Sequence, residues 1–378
     1  MKLISIVGAR PQFVKVAPLS RSLDEYNRIA GASIENIIVH TGQHYDLDMS
    51  DIFFNELEIP QPAINLGVGS ALHGSQTGQM LEKIEQVLLE RKADMVVVYG
   101  DTNSTLAGAL AAAKLHIPVA HIEAGLRSFK RRMPEEINRV VADHVSDLLL
   151  APTSTAIENL QIEGLSRKAV LTGDIMYDAV LFGRDIAEQR STILERLNLV
   201  PRDYGLVTVH RSENTDDEKR LGSLLAVFND IAASMLRLVF PIHPRTAKLL
   251  SSKFPGWLPH PRLHIIEPVG YLDMLRLISH ARITLTDSGG LQKEAFFLNC
   301  PCITLREETE WVETVETGGN ILAGVEDRNI CEAVSTWESR IANGRATFSA
   351  ESVDLFGDGS AADRIRDALL AFRDAKYA

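Results

Sequence analysis

Apolar, largely β-branched runs recur along the chain. Each gives way to a short polar or glycine-bearing break and then to a segment with helical spacing. Residues 2 to 8 (KLISIVG) predict a buried first strand, Ala9-Arg10-Pro11 a turn, and Gln12 to Glu25 a helix. Asn36 to His40 predict a second strand ending in Thr41-Gly42-Gln43-His44, with a further helix starting over Tyr45 to Phe54. Residues 60 to 76, rich in Pro, Gly, Ser and Asn, predict a loop, and Gln76 to Arg91 a long helix. Asp94 to Tyr99 (DMVVVY) is continuously apolar after its first residue, as strands buried on both faces of a parallel sheet are. It ends in Gly100-Asp101-Thr102, before an Ala-rich helix to Leu115. Pro118 to Glu123, Asp147 to Ala151 and Ala169 to Thr172 predict more strands, and Pro134, a favoured first helical residue, opens a helix.

A second set of units follows. Gly205 to Val209 predict a strand ending at His210, Asp217 to Ser234 a helix, and Leu238 to Ile242 a strand ending at His243-Pro244. Leu263 to Ile266, Ile283 to Thr286, Cys302 to Leu305 and Asn320 to Leu322 predict strands, and Tyr271 to His280 a helix. Strand and helix alternate throughout, which is the pattern of an α/β protein with two Rossmann-like doubly wound domains. The predicted domains are residues 1–172 and 173–360. A last helix over residues 361–378 carries Ile365, Leu369, Leu370 and Phe372, apolar positions suited to packing back on the first domain.

The stretch ITLTDSGGLQKE, Ile283 to Glu294, concentrates the local chemistry. A strand breaks at Asp287-Ser288-Gly289-Gly290 and resumes as a helix. The glycine pair exposes backbone N–H groups at a helix N-terminus that carries about half a unit of positive charge, so the guest it suits is an anion such as a phosphate. Ser288 is placed to cap the helix or to bond that guest.

Composition narrows the classes. A net charge of −11 and a sequence pI near 5.5 exclude a general nucleic-acid or membrane-surface binder, while leaving room for a local basic pocket. Hydrophobic residues make up 45%, enough for a sizeable core, and no apolar run is long enough to span a membrane. The start of the sequence has no signal-peptide pattern, so the expected location is cytoplasmic. Cys300, Cys302 and Cys331 have no zinc-site spacing and read as reduced thiols, so no metal is expected. GARPQF at residues 8 to 13 is not a GxGxxG fingerprint, so no nicotinamide cofactor is expected either.

In open α/β sheets ligands bind beyond the carboxyl ends of the strands, and here those ends carry Arg10, His44, Asp101, Glu123, His210, His243 and Ser288. Each has a plain alternative: Asp101 as a helix cap, His243 in the core, Glu123 paired with Arg127. Together they predict an anion site with several carboxylates in a cleft between the domains. Asp101, Glu123, Glu135 and Glu136 are candidates for proton transfer, with Arg127, Arg131, Arg132 and Arg139 to tune them.

These motifs, in this order, resemble the non-hydrolysing UDP-N-acetylglucosamine 2-epimerases. The matching segments are residues 8–19 (GARPQFVKVAPL), 41–44 (TGQH), 100–102 (GDT), 121–128 (HIEAGLRS) and 133–139 (MPEEINR). They continue through 209–214 (VHRSEN), 243–245 (HPR), 286–295 (TDSGGLQKEA) and 306–313 (REETEWVE). The resemblance implies a GT-B-type pair of Rossmann-like domains, usually a homodimer, and inversion at C2 of a UDP-sugar with no redox cofactor. UDP is expelled to leave a glycal and is then added back. Carried over by motif, Arg10 and Lys15 resemble sugar-nucleotide contacts, and Asp101, Glu123 and Glu135 the acid/base carboxylates. Arg139 and His210 resemble further active-site groups. Ser288, Gly289, Gly290 and Glu294 resemble the diphosphate and ribose site, with His243 lining the cleft. The match assigns the C2 proton to no single carboxylate.

The chain departs from the commonest family form at Ala9 and Gln12, at Trp311-Val312, and at residues 73 to 78 (HGSQTG), where some members place a basic segment for an activating second UDP-GlcNAc. The same departures resemble the subgroup acting on UDP-2,3-diacetamido-2,3-dideoxy-glucuronate, an O-antigen precursor. A GT-B glycosyltransferase would share the fold but release UDP only with an acceptor. A nucleotide-sugar sensor would keep the Ser288-Gly289-Gly290 cradle and lose the carboxylates.

Overall fold

The computed structural model describes residues 1–42, 61–344 and 353–377, with the side chains of Arg10 and Tyr377 outside that description. His44 and the helix expected over Tyr45 to Phe54 lie outside the described residues. The chain divides into two compact units, Met1–Ala179 with Asp354–Ala378, and Val180–Val353.

The first unit is built on a parallel sheet of seven strands: β1 (Lys2–Val7), β2 (Glu35–His40), β3 (Ile64–Asn65), β4 (Met95–Tyr99), β5 (Val119–Ile122), β6 (Leu148–Ala151) and β7 (Ala169–Leu171). Their order is β3-β2-β1-β4-β5-β6-β7. The short β3 falls inside the stretch whose composition predicts only loop; two residues are too few for a period to show. Every residue of β4 is buried, as its uninterrupted apolar run requires. The Ala-rich helix Asn103–Lys114 lies close on the β1/β4 seam. A Cβ on Gly108 would sit 3.1 Å from a Val98 methyl and 3.2 Å from Ile6 Cγ1, so a larger residue would require both side chains to give way by a few tenths of an ångström.

The helix Arg10–Ala30 is longer than its pattern predicts at both ends, with Pro11 in its first turn and Gly31, at φ 60°, terminating it in the left-handed conformation. The last helix, Ala361–Tyr377, belongs to this first unit. Asp178 caps it, accepting from the backbone N–H groups of Ala361 (3.1 Å) and Ala362 (2.8 Å). Ser22 on the Arg10–Ala30 helix donates to Asp363 (2.6 Å) and accepts from Arg366 (3.0 Å), whose guanidinium lies over the Tyr26 ring.

The second unit repeats the plan with β8 (Gly205–Thr208), β9 (Leu238–Pro241), β10 (Leu263–Ile266), β11 (Ile283–Thr286), β12 (Cys302–Thr304) and β13 (Asn320–Leu322), in the order β10-β9-β8-β11-β12-β13, all parallel. Val207, Phe228, Ile231, Phe240, Leu285, Ile303 and Trp337 belong to its core. The Trp337 indole satisfies its one donor on the Cys302 carbonyl at 3.1 Å. Cys300 and Cys302 are buried free thiols, and burial pushes Cys300 up to about 11. Thiolate chemistry at neutral pH is thereby excluded for Cys300.

Both sheets share one topological property. The chain leaves the first strand for one side of the sheet, then crosses back to place its fourth strand on the other. The order therefore reverses between β1 and β4, and again between β8 and β11. Loops at the carboxyl ends of such strand pairs diverge and leave room for a ligand.

Candidate active site

In the first unit, the turn after β1 is fixed by Gln12. Its Oε1 accepts from Gly8 N–H (2.7 Å) and Ala9 N–H (3.1 Å), while Nε2 donates to the Tyr99 carbonyl (2.7 Å) and Thr105 Oγ1 (3.0 Å). One amide thus ties the ends of β1 and β4 to the Asn103–Lys114 helix. Gly8 is held against Ser104 and Thr41, whose hydroxyls lie where a Cβ would be. Arg10 is the first residue of its helix, and its side chain is outside the described atoms. Lys15, one turn further, is buried and forms an ion pair with Glu123.

Glu123 follows β5 in a β-bulge. Its own N–H and that of Ala124 both donate to the Leu150 carbonyl, at 3.1 and 3.2 Å, and its φ is 72°. The left-handed backbone turns the carboxylate off the strand line toward Lys15. A glutamate gains nothing from that conformation by itself, so surrounding contacts must hold it there. The alternative pairing with Arg127 is not formed. Arg127 instead bonds Asp143 and, through Nε and Nη2, both oxygens of Glu163.

Asp101, after β4, pairs with Arg139, which also reaches Glu136 at 3.2 Å. Asn138 donates to the Asp101 carbonyl at 3.0 Å. Arg139 and Asn138 lie on the helix Pro134–Val145, so this one helix positions Asp101 through side chain and backbone alike. Glu136 is committed locally. Its carboxylate accepts from the backbone of Ser128 (2.8 Å) and Phe129 (3.0 Å) and from the Ser128 hydroxyl (2.9 Å), which folds the Ser128–Met133 loop onto the helix start. Glu135, in the same first turn, is half-buried, while Arg131 and Arg132 are exposed.

The first unit therefore presents two carboxylates at the carboxyl edge of its sheet, Asp101 paired with Arg139 and Glu123 paired with Lys15. Asp101 is a third exposed at its side chain, whereas Glu123 is nearly closed off.

In the second unit, His210 lies two residues beyond the end of β8 and Asp287 directly follows β11. Asp287 is fully buried and accepts from the backbone N–H groups of His210 (3.1 Å) and Arg211 (3.0 Å) and from Asn214 Nδ2 (3.1 Å). It also lies 3.5 Å from His210 Nδ1. The His210 ring stands 5.8 Å from that of His243, centroid to centroid. His243 is exposed, not a core residue, and its Nδ1 accepts from Arg245 N–H to cap the helix Pro244–Lys253.

Ser288 caps the helix Gly289–Phe297, accepting from Leu291 N–H at 3.4 Å. Gly289 and Gly290 fill its first turn, half-exposed. The space over Gly289 is bordered by Trp311 Nε1, Arg211 and Glu310, each 3.7–3.8 Å from where a Cβ would lie. Glu294 is buried one turn on, and the Lys293 ammonium sits 3.7 Å from the Trp311 ring centroid. The helix-start N–H groups stand beside the Arg211 guanidinium and the Glu310 carboxylate, and backbone donors in such a position are able to receive an anion.

Sequence reading missed the groups that act through others: Gln12, Asp287, and the pair His121 and Asp143. Asp287 stands inside a stretch already singled out, but its bond to the β8 turn spans more than seventy residues and is written in no local pattern. Among the described residues, no group of three His, Cys, Asp or Glu side chains is placed to hold a metal ion, and no helix is long and apolar enough to cross a membrane.

A family model described as UDP-N-acetylglucosamine 2-epimerase matches residues 27–370. A UDP-N-acetylglucosamine 2-epimerase homolog of Methanococcus maripaludis is 49% identical over 373 residues, 98% of this chain and 99% of that protein. The UDP-2,3-diacetamido-2,3-dideoxy-D-glucuronate 2-epimerase of Pseudomonas aeruginosa is 46% identical over 373 residues, with the same coverage. The crystal structure of Methanocaldococcus jannaschii UDP-GlcNAc 2-epimerase in complex with UDP-GlcNAc and UDP superposes with a TM-score of 0.89 at 45% identity, covering 98% of this chain and 100% of that one. The two parallel sheets are accordingly those of the GT-B fold, and the chain belongs to the UDP-N-acetylglucosamine 2-epimerase family.

Proposed function

We propose that this protein interconverts the C2 epimers of a UDP-activated 2-acetamido sugar, without hydrolysis, by eliminating and re-adding UDP. The observation that carries the reading is the pair of cation-matched carboxylates, Asp101 with Arg139 and Glu123 with Lys15, at the edge of the first sheet. A C2–H bond is a weak acid. It breaks only if a base takes the proton while the electron pair forms the C1=C2 bond and the C1–O bond to UDP breaks. One of the carboxylates Asp101, Glu123 and Glu135 accepts that proton. UDP leaves with its charge on the diphosphate, where the N–H groups of Gly289 and Gly290, with Ser288 and His210, offset it. Protonation of C2 on the other face and return of a phosphate oxygen to C1 give the epimer. Arg10 and Lys15 belong to the sugar-nucleotide contacts, and Glu294 and His243 to the ribose and cleft contacts.

Two substrates fit the reading. The similarity to the Methanocaldococcus enzyme supports UDP-GlcNAc, with UDP-ManNAc as product. The similarity to the Pseudomonas enzyme supports the diacetamido-glucuronate analogue, with a place in surface-polysaccharide synthesis. The working form is a cytoplasmic homodimer, the state the family resemblance implies. Proton NMR of each sugar nucleotide with enzyme in D₂O tests the reading. Deuterium at C2 together with the manno epimer is expected, and the faster substrate names the specificity. UDP release that requires an added acceptor would mark a glycosyltransferase instead.

A further inference from the structure

Asp143 lies on the helix Pro134–Val145 and has no exposed surface. One carboxylate oxygen stands 2.7 Å from His121 Nδ1. The other accepts from the Gly125 backbone N–H at 3.1 Å and from Arg127 Nη1 at 2.7 Å. Besides Arg127, its partners are thus the residue two before Glu123 and the residue two after it. Glu123 itself, at φ 72°, sits in a conformation that something must hold. Asp143 clamps both ends of that bulge.

The clamp extends to the second carboxylate. The other ring nitrogen of His121, Nε2, is 2.7 Å from the Gly100 carbonyl, in the peptide that leads into Asp101. The ring thus bridges the Asp143 carboxylate and the Gly100 carbonyl. Gly100 in turn faces the Lys15–Glu123 pair. Burial works to raise the Asp143 carboxyl, but His121 and Arg127 outweigh it and hold it below the ordinary carboxylate range. Glu163, bound through both oxygens to Arg127, adds a second carboxylate to the cluster. Apolar side chains of similar volume often stabilise a buried ionic site as well or better, so the Asp143–Arg127 pair points to a role beyond stability.

We infer that Asp143 is a positioning residue for the epimerisation, acting through His121 and Gly125 to aim Asp101 and Glu123 together. This rests on the epimerase reading above. The test is Asp143→Asn, which keeps the shape but removes the charge and replaces one acceptor oxygen by an amide donor. With whichever UDP-sugar the wild type epimerises, kcat is expected to fall about 100-fold, KM to stay within about threefold, and UDP affinity by calorimetry to be unchanged. In a Glu123→Gln background, the same substitution is expected to cost almost nothing further, because groups acting as one unit are not additive. Full multiplication of the two losses, or a kcat unaffected by Asp143→Asn, overturns the inference. If Asp143→Asn melts below the assay temperature, His121→Gln carries the comparison. It leaves Asp143 on Gly125 and Arg127, and a kcat loss of about tenfold or more is expected; wild-type kcat would overturn the inference. A wild type that epimerises neither UDP-sugar overturns the epimerase reading instead.

Discussion

Gly100 faces Glu123 so closely that a Cβ on the glycine would lie 3.1 Å from Glu123 Oε2 and 3.3 Å from Lys15 Nζ. The φ of Gly100 is 62°, so a side chain there is strained before it touches anything. Gly100→Ala should cost about 1–2 kcal/mol of stability from strain and crowding. It should also push the Lys15–Glu123 pair aside and lower kcat more than tenfold at little cost in UDP affinity. Urea unfolding with parallel kinetics checks both halves. An alanine variant with wild-type kcat would mean that the pair tolerates displacement.

Gly289 gives the opposite case. Apart from its chain neighbours and its own helix backbone, no atom of the described residues comes nearer than 3.7 Å to the position of its Cβ, and its backbone is not left-handed. Gly289→Ala should therefore leave Tm within a few degrees of wild type, since alanine suits a helix start at least as well. The added methyl instead occupies the space offered to the diphosphate. UDP affinity is expected to weaken about 10-fold or more, about 1.4 kcal/mol. Unchanged calorimetric affinity would move the anion elsewhere.

Asp101→Asn removes a charge and little volume, leaving Arg139 with Glu136. Turnover is expected to fall by about three orders of magnitude or more, the scale on which a general base matters, while UDP binding stays near normal. Normal turnover in this variant would remove Asp101 from the mechanism.

Asp143 also sets a pH dependence. Its carboxyl is held below the ordinary value of 3.8 by His121 and Arg127 against the effect of burial. The unfolded chain therefore binds the proton at higher pH than the folded one. The stability from this group is fully present above about pH 4 and is lost as pH falls through the depressed folded value. The difference in unfolding free energy between wild type and Asp143→Asn should be largest near neutrality and shrink toward pH 3. A difference constant over that range would mean that the carboxylate has no special partners.

Much of this architecture is legible in the sequence because parallel strands buried on both faces leave unbroken apolar runs, as Met95–Tyr99 does. The strand ends are legible too, since glycine and charge interrupt those runs at Gly100-Asp101 and Ser288-Gly289. What each charge bonds is a different matter. Glu123 and Arg127 stand one helical turn apart in sequence, yet they part because the bulge at Glu123 turns its carboxylate to Lys15. Glu135 and Glu136 are adjacent and alike, and only the helix phase sends Glu136 onto the Ser128 loop. His121 and Asp143 carry no local signature, because their bond depends on how a helix seats against a strand.

The amide of Gln12, bonded at the carboxyl ends of both β1 and β4, has one more implication. It donates to the Tyr99 carbonyl and accepts from Gly8 and Ala9, two tasks that an ionised glutamate could not combine, having no proton to give. A carboxyl in its place would join the strands only while protonated and would loosen them as the medium turned alkaline. With glutamine there, the rivet of the first sheet is indifferent to acidity. Any acid or alkaline limb in this enzyme's activity belongs to the charged groups around that rivet, never to the rivet itself.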